Sequence, residues 1–150
     1  MYDKRRKIVL ADDFSGSGRG LQSRTIFRWG LHLPPDGDAD RGKAAFLVLG
    51  CNSCHSVSGV DMPAPTVQPP VPVALGGEVV HRLSDGYLAT SMIHPSYELA
   101  PYPKDQITEN GHSRMPAYVD QMTIRQMTDI VAFLQAHYTV PPDRAPNVTH

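Results

Sequence analysis

Both cysteines of the chain fall in one short stretch, Cys51-Asn52-Ser53-Cys54-His55. Two thiols three positions apart on one turn of backbone reach the two vinyl groups of a single porphyrin, and a histidine directly after the second lies under the iron with its imidazole as proximal ligand. The pattern is therefore the attachment site of one heme c, held covalently through Cys51 and Cys54, with His55 as a metal ligand. Three other uses of the pair are weaker. A thioredoxin-like dithiol belongs at the end of a strand in a βαβ pattern, and no such pattern precedes Cys51. A structural zinc site needs four ligands, which a chain without further cysteines could supply only from scattered histidines. A disulfide spanning two residues is strained and leaves His55 without a task.

The opposite face of the iron takes a thioether sulfur, a second imidazole or nothing. Met115, in Ser113-Arg114-Met115-Pro116-Ala117-Tyr118, is the chosen ligand, because Pro116 denies the segment a helical continuation and lets the side chain project inward from extended backbone. His112, three residues earlier, is the rival; a second imidazole would lower the potential relative to sulfur. Met62 lies too soon after His55 to pass round the porphyrin edge without a tight detour. Met92 and Met127 sit at helical positions and read as core gap-fillers. His81 and His94 read as solvated or satisfied polar residues beside a helix, and His32, His137 and His150 as arm or helix-end residues.

Helices must carry these groups. Asp38 caps an alanine-rich segment with Ala45, Phe46 and Leu49 at helical spacing, ending at Gly50 just before Cys51. Prolines and the Gly76-Gly77 pair make residues 56–79 a loop. Ser84 or Asp85 starts a second helix that Pro95 stops, and residues 95–122 form another loop. After the Thr123 cap, Ile124, Met127, Ile130, Val131, Leu134 and Tyr138 share one stripe, with Arg125, Gln126 and Asp129 facing elsewhere. The only strand signal is short, in Glu78-Val79-Val80-His81-Arg82-Leu83. Residues 1–37 read as an arm or a mis-assigned leader, 38–138 as one domain, and 139–150 as a polar tail.

Composition narrows the partners. With 14 basic against 15 acidic residues and a formal net charge of −1, the chain projects no broad field toward nucleic acid or an anionic membrane. No run approaches the roughly 18 consecutive apolar residues of a membrane-spanning helix. The opening "MYDKRRKIVLADDF" has an apolar stretch too short for the core of an export signal.

The segments "RGKAAFLVLGCNSCHSVSG", "LGG" and "SRMPAYVDQMTIRQMTDIVAFLQAHY" resemble the small monoheme class I cytochromes c. The likeness covers about residues 38–138. It implies an all-α fold of three to four helices around one covalently attached heme, with long Pro-rich loops. Gly42 and Phe46 would then pack against Phe133, Leu134 and Tyr138, while His55 and Met115 serve as axial ligands. It also implies a proline carbonyl that fixes the ligand histidine's tautomer, for which Pro70 and Pro72 are the candidates. Trp29, the only tryptophan, lies in the arm, which leaves Arg82, Tyr87, Lys104 or Tyr118 to hold a heme propionate. The implied function is single-electron transfer between redox partner proteins, with no enzymatic reaction of its own. The implied place is the periplasm or the outer face of a bacterial membrane. The alternatives are a gas- or peroxide-binding heme domain with a labile sixth ligand, and a heme subunit of a larger oxidase or dehydrogenase.

Overall fold

The computed structural model describes residues 33, 34, 36–65, 69 and 71–141. Four α-helices carry the architecture: α1 (Ala39–Val48), α2 (Asp85–Ile93), the single turn α3 (Lys104–Ile107) and α4 (Ile124–Ala136). The three longer ones begin where short polar side chains take up orphan N–H groups of the first turn. Asp38 accepts from Arg41 N–H, Ser84 from Tyr87 N–H, and Thr123 from Gln126 N–H. At Thr123 the Gln126 side chain reaches back to the cap's own N–H, completing a reciprocal capping box.

The packing core is the crossing of α1 on α4. Its centre is small by design of the sequence: a Cβ at Gly42 would meet the Asp129 backbone carbonyl and come within 2.7 Å of Phe133 Cβ. Only glycine lets the two backbones approach so closely. One turn on, the Phe46 and Phe133 rings meet edge to face with centroids 5.7 Å apart. Ala45, Val57, Leu88, Ala89, Met92, Met127, Ile130, Val131, Leu134 and Tyr138 complete the buried cluster, with Phe133 and Ile130 each 1% exposed. The packing expected of Gly42 and Phe46 against α4 is thus present, and Met92 and Met127 are core residues as read.

Two expectations for α4 are corrected. Ile124, placed on the buried stripe, is 58% exposed as the first residue of α4, and the buried stretch of the helix begins at Met127. Asp129, placed on an outward face, is 3% exposed. Its Oδ1 accepts the Asp38 N–H at 2.9 Å and Arg41 Nη2 at 3.0 Å, and its Oδ2 accepts Arg41 Nε at 2.9 Å. This two-pronged guanidinium–carboxylate pair ties the start of α1 to the middle of α4, and pairing is what makes the burial of a carboxylate tolerable.

The segments read as loops also hold short strands. β1 (His55–Val57) runs parallel to β2 (Val73–Leu75), with His55 opposite Val73. β3 (Gly77–Glu78) runs parallel to β6 (Tyr138–Thr139), so the chain after the proline-rich stretch is pinned to the end of α4. The strand expected over 78–83 is realised only at Glu78. Between α3 and Met115, β4 (Thr108–Glu109) and β5 (His112–Ser113) form an antiparallel hairpin turned by Asn110 and Gly111, both with positive φ. An Asn-Gly pair is a standard signal for such a turn. Trp29, His32, Pro70 and His150 lie outside the described residues.

Candidate functional site

The site is assembled where α1 ends. Leu49 closes the helix, and Gly50 adopts the left-handed conformation at φ 71° that reverses the chain without a Cβ penalty. Cys51–Ser53 then form one 3-10 turn, which is how the two thiols come to share a turn of backbone. Cys51 is half-buried, Cys54 is exposed, and both are free thiols. Burial pushes the Cys51 thiol up, with the neighbouring Tyr118 hydroxyl pulling it partly back.

His55 opens β1, held in place by the backbone partnership with the returning chain: Val73 N–H donates to the Cys54 carbonyl at 2.9 Å and Ser58 N–H to the Leu75 carbonyl at 2.9 Å. Burial lowers the His55 pKa from 6.5, offset in part by the Val73 backbone beside the ring, so the imidazole is uncharged at neutral pH. Its Nδ1 is buried with no hydrogen-bond partner among the described residues. Of the two prolines proposed to support it, Pro72 directly precedes the Val73 that lies against His55.

Met115 is half-buried and packs against the hydrophobic core. Its N–H donates to Ser113 Oγ at 3.2 Å, and Ser113 N–H donates to Ser96 Oγ at 3.0 Å, so the segment is tied back to the chain that leaves α2. Met62 and Met122 also pack against the core. His112 is exposed on β5, His81 and His94 are exposed, and His137 Nδ1 lies 2.8 Å from the Phe133 carbonyl with its ring against Phe133. Among the described residues, no three His, Cys, Asp or Glu side chains converge as a metal site would require.

Two of the side chains named for a propionate are engaged elsewhere. Arg82 Nη2 donates to the Tyr138 carbonyl at 2.9 Å, beside the β3–β6 pair. Tyr118, 8% exposed, donates its hydroxyl to the Leu49 carbonyl at 3.1 Å. Burial first, and then the adjacent Cys51, push the Tyr118 hydroxyl up to about 12, so it stays a donor at any physiological pH. Tyr87 is partly exposed, and Lys104 is exposed on α3.

The cytochrome c family model matches residues 39–137, from the first residue of α1 to the end of α4, with Cys51, Cys54, His55 and Met115 inside the match. The chain belongs to the cytochrome c family. No curated protein and no solved structure gives a match. Cytochromes c bind heme c and carry electrons, so heme, iron and redox partners follow for this one. Its own residues fit the group. They offer free thiols on one turn and, beside them, an imidazole whose buried Nδ1 has no hydrogen-bond partner among the described residues. Leu49, Val60, Met62, Leu75 and Met115 are partly buried apolar residues packed against the core, the kind of side chain a porphyrin face takes. No helix among the described residues is long and apolar enough to cross a membrane.

Proposed function

We propose that this cytochrome carries one heme c, joined to Cys51 and Cys54 by thioethers and ligated by His55 and Met115, and passes single electrons between redox proteins outside the cytoplasm of a bacterium. The observation that carries the reading is the placement of the Cys-x-x-Cys-His turn at the end of α1, with the half-buried His55 directly behind it and its Nδ1 without a hydrogen-bond partner among the described residues. The bound heme supplies the one-electron couple. Everything else falls to the chain. The Cys54–Val73 and Ser58–Leu75 backbone bonds fix the strand that bears His55. The Ser96–Ser113–Met115 hydrogen bonds fix the backbone that bears Met115, so little of the chain need rearrange when an electron arrives. Thioether ligation and an apolar surround both favour the reduced state, which gives a positive midpoint potential.

Docking rests on apolar contact more than on charge, because the net charge of −1 steers weakly. Val48 and Val119 support this: both are exposed, and their neighbours Leu49 and Tyr118 are bonded to each other beside Cys51. The domain proper is residues 38–138, with 1–37 an arm or leader and 139–150 a tail.

The test is mass spectrometry of protein matured in a strain that assembles c-type cytochromes. One added heme mass, with both thiols resistant to alkylation, is expected. Colourless protein with two alkylatable thiols overturns the proposal. Met115 is tested by the weak near-infrared band of sulfur ligation in the oxidised spectrum, present in the native protein and absent from Met115→Ala. Slow or absent carbon monoxide binding to the reduced protein is expected of a carrier, and rapid binding would instead support the gas-binding alternative.

A further inference from the structure

Tyr118 joins three parts of the molecule through its own polar atoms. Its hydroxyl donates to the Leu49 carbonyl at 3.1 Å, its N–H donates to the Met92 carbonyl at 3.0 Å, and its carbonyl accepts the Gln121 and Met122 N–H groups at 3.1 Å each. Only Gly50 separates Leu49 from Cys51, so the hydroxyl bond is anchored on the backbone that enters the heme-attachment turn. On the other side, Met115 stands three residues before Tyr118, and three residues span at most roughly 10 Å. Pro116, with its fixed φ, stiffens that short link. The tyrosine therefore bridges the segment that bears the thioether and the segment that bears the thiols and the imidazole.

On the reading that His55 and Met115 ligate the iron, we propose that Tyr118 is a positioning residue for the sixth ligand. Its hydroxyl bond to Leu49 holds the Met115 segment at a set distance from the Cys51–His55 turn and so keeps the sulfur on the iron. The ring is buried and contributes packing, but the positioning is done by the hydroxyl, and Tyr118→Phe separates the two because it retains the ring.

The experiment uses the heme-loaded protein and free imidazole as the competing ligand, with loss of the near-infrared sulfur band as readout. Loss of one hydrogen bond of ordinary strength makes imidazole displace Met115 at about fivefold lower concentration in Tyr118→Phe than in the native protein. In a Met115→Ala background, which has no sulfur to position, Tyr118→Phe leaves imidazole affinity unchanged. Gly50→Ala, strained at φ 71°, perturbs the Leu49 carbonyl from the other end and shifts the affinity in the same direction, again only when Met115 is present. Unchanged imidazole affinity in both variants overturns the proposal, as does an equal shift with and without Met115. A purely structural role would lower the denaturation midpoint and leave the imidazole affinity alone. Absence of the sulfur band from the native protein is a different result: it refutes Met115 ligation itself.

Discussion

Gly42→Ala sets two effects of known sign against each other. On propensity alone the substitution helps, because alanine is better than glycine in a helix interior by about 1 kcal/mol. The α1–α4 crossing opposes it. The new Cβ would sit 2.7 Å from Phe133 Cβ where an ordinary contact begins at 3.4 Å, a deficit of about 0.7 Å (3.4 less 2.7), and it also runs into the Asp129 carbonyl. Neither obstacle is the far end of a flexible side chain, so the helices themselves must move apart. A gap of that size forfeits about a quarter to a half of the dispersion energy of each facing contact, including the Phe46–Phe133 pair. Overpacking of this kind costs about 1–3 kcal/mol, with more where backbone is the obstacle. Taking the upper end of that range, about 3 kcal/mol, because backbone is the obstacle, and subtracting the propensity gain of about 1 kcal/mol leaves a destabilisation of about 2 kcal/mol, which for a domain of this size lowers the thermal midpoint by roughly 10 °C. Thermal unfolding of the heme-loaded protein, followed by far-ultraviolet circular dichroism, measures it. A Gly42→Ala midpoint equal to or above the native one would show that the backbones are not in contact there and would refute the crossing geometry.

Two further outcomes follow from the caps and the buried carboxylate. Arg41 holds the Asp129 carboxyl below its ordinary value of 3.8, so its contribution to stability is present above that pH and is lost as pH falls through the depressed folded value. Thermal midpoints measured against pH should therefore drop less steeply on the acid side in Asp129→Asn than in the native protein. Asp36, depressed by Arg125, leaves some slope in the variant, whereas acid limbs parallel to the native one would contradict the pairing. Thr123→Ala removes the half of the capping box made by the Thr123 hydroxyl, leaving the backbone N–H of residue 123 on Gln126 Oε1, and should cost about 1 kcal/mol in a denaturant titration, with no shift in the heme spectrum.

Much of the site was legible because it is local. The Cys-x-x-Cys-His turn depends on spacing within five residues, and each long helix starts at the polar cap its sequence offers: Asp38, Ser84 and Thr123. The β4–β5 hairpin is equally local, since Asn110-Gly111 carries its turn signal, but it lies between prolines that mark the whole of residues 95–122 as loop. Asp129 had no such signal. A single acidic residue on an amphipathic helix is ordinarily a solvated one, and the partner that reverses this, Arg41, is 88 residues away. The sequence offers Tyr118 as one of four side chains to hold a propionate; that its hydroxyl instead meets Leu49 depends on a separation of 69 residues.

The order of residues alone determined that two thiols and an imidazole share one turn and where the helices begin, since thiol spacing, capping and the conformational freedom of Gly50 act within a turn or two of chain. Tertiary structure alone decided how close α1 comes to α4, which carboxylate is buried, that Val73 lies against His55, and that Tyr118 ties Met115's segment to the end of α1. Those are contacts between segments distant in the chain. Their energies depend on shape, exclusion of water and polar satisfaction across the interface, none of which any one segment carries by itself.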